Sequence, residues 1–75
     1  MSDLQLNNLI KMLDQIIANN LHYGNDKQVA AVATDHLQKF WARSMKQMII
    51  AYANDNPTEL SAVARLAIAE LEASQ

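Results

Sequence analysis

Asp35-His36-Leu37-Gln38-Lys39-Phe40-Trp41-Ala42-Arg43-Ser44-Met45-Lys46-Gln47-Met48-Ile49 is the stretch whose reading decides the fold. It holds the only Trp, the only Phe, and three of the six Lys and Arg side chains. At about 100° per residue, Val29, Val32, Ala33, His36, Leu37 and Phe40 gather around one direction of a helical wheel. Trp41, Met45, Met48, Ile49 and Tyr52 gather roughly 130° further round. One straight helix cannot aim both groups at one core. A continuous helix from Asp26 to Asn54 would also run about 43 Å at 1.5 Å per residue, too long for its shorter neighbours to cover. A break or kink near residues 41–44 is therefore expected, with the flanking segments folded back so that Phe40, Trp41 and Met45 organise the core.

Upstream, Leu6, Leu9, Ile10, Leu13, Ile16, Ile17 and Leu21 recur at helical spacing, with Asn7, Asn8, Lys11, Asp14, Gln15 and Asn19 opposite. This reads as an amphipathic helix over about residues 3–20, capped by Ser2 or Asp3, with Ser2 and Gln5 spaced as a capping box. Gly24, the single glycine, supplies a stop, and Asn25 or Asp26 caps a second helix reaching Phe40 or Trp41. A third helical segment, about residues 43–54, ends at Asn54-Asp55-Asn56-Pro57. Asn56 as cap, Pro57 at the first helical position and Glu59 beyond it predict the start of a last helix. That helix buries Leu60, Val63, Ala64, Ala67, Ile68 and Leu71, and turns Arg65, Glu70 and Glu72 to water. The expected fold is all-α, a small bundle of three to four helices in a single domain spanning residues 1–75.

Seventy-five residues are close to the size at which one core only just suffices. With no Cys, neither a disulfide nor a thiolate metal site can supplement that core. The chain then needs very good helix packing, self-association or a larger partner. A net charge of −2 gives no drive toward nucleic acid or anionic membrane. No apolar run approaches the roughly 20 residues of a membrane span, and Met-Ser-Asp does not resemble a secretory signal. A soluble, cytoplasmic protein is expected.

Reactive constellations are missing from the pattern. His22 and His36 lie too far apart for local metal-ligand spacing. His36 shares its face with Val29, Val32 and Phe40, so it reads as a core-edge histidine donating to a backbone carbonyl. Ser44 and Ser61 have no nearby histidine and no nucleophile-elbow context. One glycine cannot make a phosphate-binding loop. No catalytic, cofactor-binding or metal-binding residue is assigned, and no cofactor is expected.

Binding surface is the remaining question. Lys39, Arg43 and Lys46 fall on one helical face, opposite Trp41, Met45 and Met48. Such a stripe is usually a solvated face; docking on an acidic partner surface is the sharper reading. Met12, Met45 and Met48 read as core, or as an adaptable contact surface. Trp41 reads as the centre of the fold, with its indole N–H at the rim.

Leu9-Ile10-Lys11-Met12-Leu13-Asp14-Gln15-Ile16 resembles the opening motif of the small delta subunit of soluble NAD-dependent formate dehydrogenases. His36-Leu37-Gln38-Lys39-Phe40-Trp41, followed by Met45, is similar to that family's H-[IL]-x-x-F-W-x-P-R-M signature. Pro57 with Leu60, Val63 and Ala67 resembles its closing segment, so the similarity covers about residues 6–71. Arg43 stands where that signature has Pro, Ser44 where it has Arg, and Asn19-Asn20 where an aromatic pair is common. The resemblance implies an accessory subunit without a redox centre of its own. The molybdenum pterin and iron–sulfur clusters would sit in the large subunit, and flavin and NAD would be handled by others.

Two function classes follow. The first is a non-catalytic accessory subunit binding larger formate dehydrogenase subunits, with Lys39, Arg43 and Lys46 as candidate partner-binding residues. The second is a free-standing helical homodimer or adaptor module unrelated to formate oxidation. A helix-turn-helix nucleic-acid reader is disfavoured by the acidic net charge.

Overall fold

Among residues 4–74, which a computed structural model describes, there are four α-helices, two single-turn 3₁₀ helices and no strand: α1 Leu4–Asn19, α2 Asp26–Phe40, α3 Arg43–Asp55 and α4 Ala62–Ala73. The Ser2–Gln5 capping box and the Ser2 or Asp3 cap expected for α1 rest on residues outside that range. Leu9, Leu13 and Ile17 are the buried residues of α1, one per turn at four-residue spacing, so a single narrow stripe anchors it. The helix ends where Asn20 takes over its last carbonyls. Its side-chain Nδ2 donates to the Ile16 oxygen at 2.7 Å, and its backbone N–H donates to the Ile17 oxygen at 3.0 Å.

A 3₁₀ turn over Leu21–Tyr23 leads to Gly24, at φ 141° and ψ −138°. Side chains rarely tolerate that conformation, and a Cβ there would collide with the Gln28 carboxamide. Gln28 is needed where it is, because it completes the capping box of α2. Asn25 Oδ1 accepts from the Gln28 N–H at 3.0 Å, and Gln28 Oε1 accepts from the Asn25 N–H at 3.0 Å. Gly24 thus serves the start of α2 rather than the stop of α1.

The expected break is present and lies at Trp41 and Ala42. Both residues are extended, at φ −90°, ψ 138° and φ −65°, ψ 155°. Neither Pro nor Gly enforces it; the backbone leaves the helix after the Trp41 N–H has bonded the Leu37 oxygen, and the Trp41 side chain turns inward. Trp41 is buried among a core of Leu9, Leu13, Val29, Leu37, Ile49 and Leu71, with Met45 and Met48 packed half-buried against it. Every buried side-chain polar atom of the described residues has a partner. The indole N–H has no partner among the described residues and is therefore at the rim.

Phe40 is not a core residue: it is 71% exposed. His36 is exposed as well, so it is no core-edge histidine. The reason is which residues α2 buries: Val29, Ala30, Ala33, Thr34 and Leu37. On the wheel this stripe lies about 60° from the one centred on the large apolar groups. Small side chains set the face, because α2 lies directly against α4. Ala30, Ala33, Ala64 and Ala67 are all fully buried, and Thr34 Oγ1 reaches the Ala67 carbonyl oxygen of α4 at 2.9 Å.

The last helix also begins later than expected. Pro57 opens a 3₁₀ turn, Pro57–Glu59, and Leu60 is extended and buried. Ser61, not Asn56, caps α4, its Oγ accepting from the Ala64 N–H at 3.2 Å. The burial expected of Val63, Ala64, Ala67, Ile68 and Leu71 is observed. Glu70 is half-buried rather than water-facing, with Oε2 3.2 Å from Thr34 Oγ1.

Trp41→Ala removes the side chain that joins α2 and α3 to the same core. A loss of about 3–5 kcal/mol is expected, read as a large drop in denaturation midpoint with unchanged slope. Melting close to the parent would contradict this placement.

Candidate protein–protein interface

The two extended residues divide the basic stripe. Lys39 belongs to the end of α2, and its Nζ pairs with Asp35 Oδ2 at 3.0 Å, one turn back on the same exposed surface. Arg43 and Lys46 belong to α3. Arg43 is exposed, Lys46 is half-buried, and neither has an ion-pair partner among the described residues. They stand three residues apart on one face.

Their position is locally unfavourable. The positive end of the helix macrodipole lies at the N-terminus of α3, where an acidic side chain would stabilise and a cation destabilises. The first turn of α3 has no acidic residue, and Ala42 offers no capping oxygen. Local conflicts of this kind are tolerated at functional sites in folded proteins.

Arg43 also opens a groove. Arg43, Gln47, Ile50, Ala51 and Asn54 share one face of α3, and with Glu72 of α4 they line an open groove of about 500 Å³. Ile50 is half-buried at its floor and Ala51 exposed. At the far end Asn54 Nδ2 donates to Glu72 Oε2 at 3.4 Å. The groove therefore runs from Arg43 and Gln47, across Ile50 and Ala51, to the Asn54–Glu72 pair.

Phe40 adds an exposed aromatic, its ring 4.8 Å from that of His36. His22 lies against Tyr23 in the same way, at 4.6 Å. Each histidine is thus beside an aromatic ring, and no group of three or more His, Asp or Glu among the described residues could hold a metal ion. Ser61 is engaged as a helix cap. No helix among the described residues is long and apolar enough to cross a membrane.

The family model for the NADH-dependent formate dehydrogenase delta subunit, FdsD, matches residues 8–68. This chain belongs to the formate dehydrogenase delta subunit family. The match includes the break at Trp41–Ala42 and all of α3, so the exposed Phe40 and Arg43 and most of the groove lie within the delta-subunit region. Membership of a subunit family implies association with the other subunits of the complex. No curated protein and no solved structure matches the chain.

Of the residues singled out from sequence, the fold brings Arg43 and Lys46 together and gives Lys39 an acidic neighbour. Trp41 and Met45 pack inward, and Phe40 turns out. The groove was missed; the five-residue α3 face that lines it was readable as a helical stripe, but Glu72 comes from another element.

Two variants check these assignments. Phe40→Ser is expected to change stability by no more than about 0.5 kcal/mol, as for an ordinary surface site. Ala42→Asp supplies the missing cap to α3 and is expected to stabilise by about 1 kcal/mol. Thermal and denaturant unfolding of each purified variant measures both.

Proposed function

We propose that this chain is a non-catalytic accessory subunit of an NAD-dependent molybdenum formate dehydrogenase, acting through protein–protein contacts in the assembly or stability of the complex. The family match over residues 8–68 carries this reading. The placement of Arg43 and Lys46 supports it, since two cations at the positive end of a helix gain from an acidic partner what no described residue supplies. An exposed Phe in a chain with few aromatics supports it too, because aromatic groups supply most of the anchoring at protein interfaces. In this reading the redox centres belong to the other subunits, and Lys39, Arg43 and Lys46 face an acidic surface of the large one.

The test removes the gene from cells that make the enzyme and returns a tagged copy. The tagged parent is expected to co-purify with the large subunit and to restore recovery of assembled, active formate dehydrogenase. A Lys39→Glu, Arg43→Glu, Lys46→Glu triple variant is expected to keep its helicity and melting while recovering less complex. That loss should be greatest at low ionic strength, where charge acts over the longest range. Full assembly in the deleted strain, without the chain, would refute an assembly or stability role.

A further inference from the structure

The corner at Trp41 and Ala42 is held by tertiary packing and by little else. Neither residue is Pro or Gly, and alanine is the best of the helix formers. Ala42 gives α3 no side-chain cap, and the first turn of α3 has no acidic residue. The N–H groups of Ala42, Arg43, Ser44 and Met45 have no hydrogen-bond partner among the described residues. A continuous helix would bond all four to the oxygens of residues 38–41. Locally the chain favours running straight through, and burial of Trp41 and Ile49 bends it.

The face that α2 buries also removes the obstacle to a straight form. Carried on one wheel, Val29, Ala30, Ala33, Thr34 and Leu37 lie about 70° from Trp41, Met45, Met48, Ile49 and Tyr52. Both groups therefore fall on one side of a continuous helix. Residues 26–55 would then span about 45 Å, against a longest dimension of 37 Å for the folded chain. Such a helix carries α3 and α4 away from their own α2 and breaks the Thr34–Ala67 and Gln38–Ser74 contacts. The surface left bare on α2 already has a defined complement, the α4 of another copy.

We infer that two copies of this chain exchange α3 and α4 by straightening at Trp41 and Ala42, giving a domain-swapped dimer. A second copy is selected as the occupant because it re-forms the α2–α4 contacts of the monomer, the Thr34–Ala67 hydrogen bond included, between chains. The dimer adds the main-chain hydrogen bonds of the straightened corner and costs association entropy, so concentration sets the balance. Straightening also abolishes the α3 N-terminus at which Arg43 and Lys46 stand, so the surface proposed for docking exists in the monomer alone. That last consequence rests on the accessory-subunit reading; the exchange itself does not.

The experiment uses the purified full-length chain, unfolded in denaturant and refolded at micromolar to millimolar concentration. Mass is read by light scattering after size exclusion. The parent is expected to give monomer and dimer, with a dimer share that rises with refolding concentration and persists on dilution, since exchange back requires unpacking the core. Ala42→Pro fits the observed corner, with Ala42 at φ −65° and Trp41 at ψ 138°, and forbids a continuous helix. It is expected to cut the dimer share at least about tenfold. Ala42→Asp, which caps α3, acts in the same direction by a smaller factor and decides the matter if Ala42→Pro does not fold. Because the chain has no Cys, Gln38→Cys and Ser74→Cys, both at exposed positions, can be placed on separate chains and refolded together. A short bismaleimide then joins positions 38 and 74 between chains only where α4 has been exchanged. That cross-link, with loss of dimer in the Ala42 variants, is the expected result. A parent that stays monomeric throughout would overturn the inference. So would a dimer that survives in folded Ala42→Pro, a dimer share unchanged in Ala42→Asp, or a dimer without the 38–74 cross-link.

Discussion

The arrangement depends on how closely α2 and α4 approach. Thr34 Oγ1 lies 2.8 Å from the Ala30 oxygen of its own helix and 2.9 Å from the Ala67 oxygen of the other. A hydroxyl on one helix can reach a main-chain carbonyl on its neighbour only when little but hydrogen stands between the backbones. The fully buried Ala30, Ala33, Ala64 and Ala67 provide that clearance. Thr34 has one proton and three acceptors within reach, Glu70 Oε2 being the third. Its hydroxyl is thus satisfied by whichever acceptor geometry favours, and the buried position carries no unpaired polar group. Gln38 Nε2 then meets Ser74 Oγ at 2.7 Å one turn on, so the two helices run in the same direction.

Close α2–α4 packing has consequences for the rest of the surface. Once small residues face α4, the aromatic at the end of α2 must lie to one side, and Phe40 goes to solvent while Trp41 closes the core. The same two-residue turn delivers Arg43 to the mouth of the α3–α4 groove. Core packing and candidate interface are therefore set by one short segment. Adjacent aromatics are assigned opposite tasks because an extended residue follows a helical one.

Much of this was legible in the sequence. The stripe of α1, the Asn25 cap, the break and the buried face of α4 all follow from spacing and turn chemistry. What was not legible shares one cause. Hydrophobic periodicity weighs large side chains, and α2 is oriented by small ones, so His36 and Phe40 were placed inside when Ala30 and Thr34 are. Asn56-Pro57 carried a valid start signal, but it starts only a 3₁₀ turn, because Leu60 must become extended to bury its side chain before Ser61 caps the helix. The resemblance to the delta subunit family found the right family from two short motifs and did not reveal which of their residues point outward. The groove escaped because it needs Glu72, brought across by tertiary structure.

The parallel sense of α2 and α4 bears on how the chain finds its fold. Neighbouring helices joined by a short turn run antiparallel, whereas this pair is joined through the whole of α3, and the Thr34–Ala67 contact closes a separation of 33 residues. Loop-closure entropy is spent before those backbones touch, and local helix formation cannot repay it. The turn at Trp41 and Ala42 brings the chain back toward α2, so these two extended residues shape the loop that the α2–α4 contact closes. Until that loop closes, the alanine faces of α2 and α4 do not yet cover each other.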